Sequence, residues 1–188
     1  SEDGRYVAFQ SKASNLVPGD TNRANDVFVH DGLTGVTSRV SVASDGTQMG
    51  AEVGGPAMSA DGRHVAFLQI DVFVHDRDTG ATTQVSVATD GTQGDSRSYY
   101  PAVSADGRYV AFRSLSSNLV PGDTNGQSDV FVHDRLDGTT TRVSVSSSGA
   151  QANQEASGSW AGTPSISADG RYVAFHSFAS NLVPGDTN

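Results

Sequence analysis

A nine-residue phrase, Ser-x-Asp-Gly-Arg-x-Val-Ala-Phe, occurs four times in the 188 residues, with its aspartates at Asp3, Asp61, Asp106 and Asp169. A second phrase, Asp-Val-Phe-Val-His-Asp, begins at Asp26, Asp71 and Asp129. A third, Ser-Asn-Leu-Val-Pro-Gly-Asp-Thr-Asn, carries Asn15, Asn118 and Asn181. Self-similarity on this scale describes an array of supersecondary units, each completed by its neighbours because none buries its apolar face alone. The interval from Asp61 to Asp106 is the shortest. There Phe67-Leu68-Gln69-Ile70 runs straight into Asp71 and the third phrase is missing. The third phrase is therefore a removable insert, and the basic unit of about 45 residues has the length of a propeller blade.

Each unit reads as four strands. In the third unit the first strand is expected over Tyr100–Ser104, followed by an Asp106-Gly107 hairpin turn of the kind that Asp-Gly favours. The second is expected over Arg108–Arg113, the third over Asp129–Arg135 and the fourth over Thr140–Ser146. The middle strands are apolar on both faces, as strands packed between neighbouring sheets are. The fourth alternates, with Thr141, Val143 and Val145 on one face and Arg142 and Ser144 on the other, which suits a half-exposed outer strand. No stretch has a helical period. The expected fold is all-β: propeller blades of four antiparallel strands, here an incomplete arc of three to four blades. The expected units are a partial blade over residues 1–50, blades over 51–97 and 98–158, and a partial blade over 159–188. Both ends fall inside a repeat, as expected of a piece of a longer protein. An open arc would leave unpaired strand edges and wet apolar faces, so self-association through them is expected.

The joint pattern of the Ser-x-Asp-Gly-Arg-x-Val-Ala-Phe and Asp-Val-Phe-Val-His-Asp phrases resembles the TolB-like, WD-repeat-like propeller family of bacterial envelope and secreted proteins. The resemblance covers essentially the whole chain. It implies a periplasmic or secreted protein. It leaves activity open, since the family includes translocation-linked proteins and the gating domains of peptidases.

The formal net charge of −9 and a single lysine, Lys12, exclude the clustered basic surface that a nucleic acid or an anionic membrane requires. No apolar run is long enough to span a bilayer. Cysteine is absent, so disulfides and thiolate metal sites are excluded.

Candidate binding residues collect in loops. In propeller topology the loop between the second and third strands and the loop between blades emerge on one face, the usual place for binding on a rigid scaffold. Oxygen-bearing side chains recur at Asp20, Asn22 and Asp26, at Asp123, Asn125 and Asp129, and at Asp186 and Asn188. That spacing suits calcium, although no glutamate follows at the twelfth position; the same residues also serve as Asx-turn formers. Tyr99, Tyr100 and Trp160 lie at blade starts on the loop face, placed to stack on a sugar or a peptide or to cap the core. His30, His75 and His133 occupy equivalent third-strand positions and are expected to pack or hydrogen-bond between blades. The pairs Asp76-Arg77 and Asp134-Arg135 are expected to form solvated salt bridges.

For catalysis there is no Gly-x-Ser-x-Gly elbow, phosphate loop or zinc motif. Glu52, Asp95 and Glu155 are single loop acids without an evident partner. The expected function is a noncatalytic scaffold that binds a protein or glycan through its long-loop face. The alternative is the propeller portion of a larger serine hydrolase of the prolyl-oligopeptidase kind.

Overall fold

The computed structural model describes residues 1–50, 52–156 and 163–187. The described residues form thirteen strands in four antiparallel sheets and no helix. The first sheet has three strands, β1 (Tyr6–Ser11), β2 (Asp26–Asp31) and β3 (Thr37–Arg39). The second has four, β4 (Gly54–Met58), β5 (His64–Leu68), β6 (Val72–Asp76) and β7 (Thr82–Gln84). The third repeats that order with β8 (Ser98–Val103), β9 (Tyr109–Ser114), β10 (Asp129–Asp134) and β11 (Thr139–Arg142). A last pair, β12 (Ser165–Ile166) and β13 (Val173–Ala174), starts a fourth sheet. Every sheet is a simple meander, as blades of a propeller are.

The core lies between sheets. Val27, Val29 and Val40 of the first sheet close on Val65 and Phe67 of the second. Val72, Val74 and Val85 of the second close on Val110, Phe112 and Phe131 of the third. This is why the Val-Ala-Phe and Val-Phe-Val runs are apolar on both faces. Within each sheet the phenylalanines of the two phrases are cross-strand partners and stack: Phe9 on Phe28, Phe67 on Phe73 and Phe112 on Phe131, with centroids 5.8, 6.0 and 5.9 Å apart. Adjacent sheets are also joined by backbone, since the Glu2, Ala60 and Ala105 amides donate to the carbonyls of Ala60, Ala105 and Ala168.

The fourth strand is shorter than its alternation suggests. It ends at Arg142 because Ser144 Oγ, instead of a backbone carbonyl, accepts the Val130 amide at 3.1 Å. The same hydroxyl donates to Asp129 Oδ1 at 2.5 Å. The chain then leaves the ladder, and Val145 makes only an isolated bridge to Gln151.

Candidate functional site

The Asp-Gly-Arg phrase builds a hairpin whose parts all have work inside the sheet. The serine hydroxyl donates to the aspartate (Ser59 to Asp61, 2.5 Å), and that carboxylate accepts the arginine amide (Arg63, 2.9 Å). The arginine side chain then reaches the aspartate that closes the third strand. Arg5 pairs with Asp31, Arg63 with Asp76 and Arg108 with Asp134, each through two hydrogen bonds of 2.6–2.9 Å. These guanidinium forks hold the three carboxyls well below the usual carboxylate range. Asp76-Arg77 and Asp134-Arg135 are thus not salt-bridged neighbours, because each aspartate is taken by the hairpin arginine and each following arginine, already in the turn, is held by a glycine carbonyl. Arg77 donates to the Gly62 carbonyl at 2.6 Å and lies 4.3 Å over the Tyr6 ring of the preceding sheet. Arg135 makes the matching bond to Gly107.

The three equivalent histidines tie the third strand to the fourth within their own sheets instead of bonding between blades, and two of their threonine partners carry the contact on to the preceding unit. His30, His75 and His133 each place Nδ1 2.9 Å from a threonine hydroxyl, of Thr37, Thr82 and Thr140. Thr82 and Thr140 donate onward to the carbonyls of Val42 and Val87 in the preceding unit. A hydroxyl that donates there accepts from the ring, which fixes the Nδ1–H tautomer at His75 and His133.

On the loop face the insert packs against the turn that leads to the next blade. Asn118 Nδ2 donates to the Gln93 carbonyl, and its Oδ1 accepts the Asp95 amide. Asn181 does the same with Gln151 and Asn153. The acids singled out for calcium are drawn to an arginine and a glutamine. Gln48 Nε2 donates to Asp20 Oδ1 at 3.0 Å and to Asp26 Oδ2 at 2.8 Å. Arg39 stands 3.8 and 3.9 Å from the same oxygens. Gln151 bridges Asp123 and Asp129 at 2.7 and 3.0 Å, with Arg142 at 3.5 Å from both. Burial raises the Asp123 pKa, with Asp129 adding to it and Gln151 and Arg142 opposing.

Asn22 and Asn125 use their oxygens to accept the Ala24 and Gln127 amides and their nitrogens to hold the Met49 and Ala152 carbonyls. Asp186 closes the third insert, and Asn188 lies outside the described residues. Among the described residues no group of three or more acids and histidines converges as a metal site would require. The oxygens of the paired acids accept from a glutamine amide and a serine hydroxyl and stand near a guanidinium. Sequence reasoning missed Arg39, Gln48, Arg142 and Gln151. A signal for them existed, since the unit without the insert carries Gln84 where the others carry arginine.

The inner strands β4, β8 and β12 line a groove of about 460 Å³ along the axis of the arc. Pro56, Pro101 and Pro164 recur around it, with Met58, Val103 and Ile166 below and Tyr100 at its rim. Each complete inner strand bulges just before its Pro-Ala pair. At that bulge Gly55 has φ +58° and Tyr100 has φ +53°. Glycine takes such a conformation freely, whereas for tyrosine it costs about 1–2 kcal/mol. Tyr100 is 42 % exposed, and Tyr99 sits beside it with ring centroids 5.9 Å apart. Trp160 lies outside the described residues. The loop acids are occupied elsewhere: Glu52 pairs with Lys12, Asp95 accepts from Ser117, and Glu155 pairs with Arg113.

No family model matches the sequence, and no curated protein matches it. Among solved structures, TolB from Acinetobacter baumannii is 19 % identical over 93 % of this chain and 35 % of its own, with a TM-score of 0.56. The putative TolB from Agrobacterium tumefaciens is 18 % identical over 96 % and 53 %, with a TM-score of 0.60. The tricorn protease is 15 % identical over 94 % and 14 %, with a TM-score of 0.59. The chain thus spans less than two thirds of each. At these identities the likeness concerns fold, and the fold is that of a TolB-like β-propeller.

Proposed function

We propose that the chain is a noncatalytic binding scaffold whose axial groove takes an extended, uncharged segment of a partner protein. The observation that carries this reading is Tyr100, a bulky residue held in the left-handed region at the rim of the groove. Strain of this kind persists where a function requires the side chain to be displayed. The chemistry of the groove favours a peptide over a glycan. Its walls are mostly proline, aliphatic and aromatic, with Thr163 and Ser165 as hydroxyl side chains beside Pro164 and no charged or amide side chain, so most hydroxyls of a sugar would lose water without gaining a partner, at about 1–3 kcal/mol each. Prolines on the inner strands blunt pairing with an added strand. Aromatic rings beside prolines instead suit a proline-containing segment that is already extended. The likeness to TolB agrees with a periplasmic or secreted setting.

A displayed library of random peptides, selected on this chain, tests the reading. Sequences rich in proline and aliphatic residues that compete with one another for one site are expected. Recovery of charged sequences alone, or of none, would contradict it. A second reading, the propeller portion of a larger peptidase, draws on the likeness to the tricorn protease. It is decided by whether a Gly-x-Ser-x-Gly elbow flanks these residues in the gene.

A further inference from the structure

The joints between neighbouring sheets are built on one plan. The residue after the hairpin arginine lays its ring against the hairpin glycine of the next unit: Tyr6 against Gly62, His64 against Gly107 and Tyr109 against Gly170. The arginine that follows the third strand of that next unit then closes over the same spot. Arg77 donates to the Gly62 carbonyl at 2.6 Å and lies 4.3 Å over the Tyr6 ring. Arg135 donates to the Gly107 carbonyl, also at 2.6 Å, and lines one cavity with His64. A phenol ring is neutral near pH 7 and attracts a guanidinium to its face. The middle joint has an imidazole in its place, a ring that gains a charge within the physiological range of pH.

The closed joint has no place for that charge. His64 Nδ1 is enclosed without a hydrogen-bond partner, and an imidazolium carries a donor on both nitrogens. The charged groups that face the ring are Asp61, Arg63 and Asp76 in its own sheet and Arg135, Asp106 and Arg108 of the third unit. Asp76 Oδ2 is 4.0 Å from Nε2, but both oxygens of Asp76 already accept from Arg63, at 2.8 and 2.7 Å. Burial first, then Arg135, lowers the His64 pKa, and Asp76 opposes them. We propose that His64 is an acid-operated latch on the joint between the second and third sheets. Protonated, it sets two cations against each other across that joint and opens it, while the joints built on tyrosine stay shut. A proton that the closed joint binds poorly and the open joint binds normally favours opening as pH falls below about 6.5. The inner strands of these two sheets, β4 and β8, carry Pro56 and Pro101, so the joint sets the width of the axial groove, yet the latch does not depend on what the groove binds.

Amide hydrogen exchange reads the joints separately, because backbone bonds span them. The Ala60 amide donates to Ala105 across the middle joint and the Ala105 amide to Ala168 across the next, both at 3.0 Å. In the isotope-labelled chain, protection of the Ala60 amide, corrected for the intrinsic exchange rate, is expected to fall about fivefold or more from about pH 7.5 to about pH 5. Protection of the Ala105 amide is expected to hold. In His64→Tyr, which copies the sister joints, the two amides should respond alike. Titration of the His64 ring signals should give a midpoint below that of a free imidazole, and Arg135→Gln, which removes the facing charge, should move that midpoint upward. Equal protection of the Ala60 amide at the two pH values, a loss matched at Ala105, or a loss that persists in His64→Tyr overturns the proposal. So does a His64 midpoint that Arg135→Gln leaves unchanged.

Discussion

Gly4, Gly62 and Gly107 occupy the same place in the hairpin turn, with φ of +71°, +75° and +74°, yet a methyl group would meet different surroundings at each. At Gly4 it meets nothing within 4 Å. At Gly62 it would sit 2.3 Å from the Tyr6 ring, and at Gly107 it would sit 2.2 Å from His64. Gly4→Ala is therefore expected to cost about 1 kcal/mol, from the left-handed backbone alone. Gly62→Ala adds overpacking in the joint between sheets and should cost about 2–4 kcal/mol. Chemical denaturation of the two variants checks the difference. Proton binding gives a second residue-scale expectation. Burial lowers the folded-state pKa of His64, His75 and His133. The unfolded chain takes up protons near pH 6.5, so the stability these residues contribute is intact above that pH and declines as pH falls toward the lower folded values. Melting temperatures at about pH 7.5 and 5.5 should differ in that direction, and less so in His64→Tyr, which restores the residue of the sister units. The aspartates of the turn were legible as structural residues. The destination of the arginines was not, because the partner of Arg63 lies on a neighbouring strand and no local spacing points to it.

At the scale of the element, the insert is held by charge. Two buried carboxylates share one arginine and one glutamine in the first and third sheets. Arg142→Gln should leave Asp123 and Asp129 facing each other and cost about 3 kcal/mol or more, while adding Asp123→Asn should recover much of that loss. A double-mutant cycle in urea measures the coupling; independent, additive effects would show that the cluster is not one unit. The insert was legible as removable from the short interval between Asp61 and Asp106. Its acids looked like cation ligands because acids at that spacing do serve calcium. The arginine beside them, Arg39 or Arg142, was not legible because it lies far along the chain and reaches them only across the sheet. The first three strands of each blade were legible from apolar runs and turn residues. The fourth was overextended because Ser144 has the polarity of an outer strand but spends its hydroxyl on Val130 and Asp129.

At the scale of the molecule, the repeat period and the apolar middle strands are enough to specify stacked four-stranded sheets, and the sheets of three, four, four and two strands follow the phrases in order. The axial groove was less legible. Tyr99 and Tyr100 could be placed at a blade start from sequence, but the bulge that turns Tyr100 into the left-handed region could not, because its counterpart Gly55 hides the requirement behind a permissive residue. The proposed function holds that Tyr100 keeps this conformation for binding and not for stability. It is tested most directly by measuring, on Tyr100→Gly and the native chain together, the melting temperature and the affinity for a peptide selected on the native chain. Glycine relieves the strained backbone, so an equal or higher melting temperature is expected, with affinity reduced about tenfold or more. Full affinity in Tyr100→Gly, or a large loss of stability, would contradict the account.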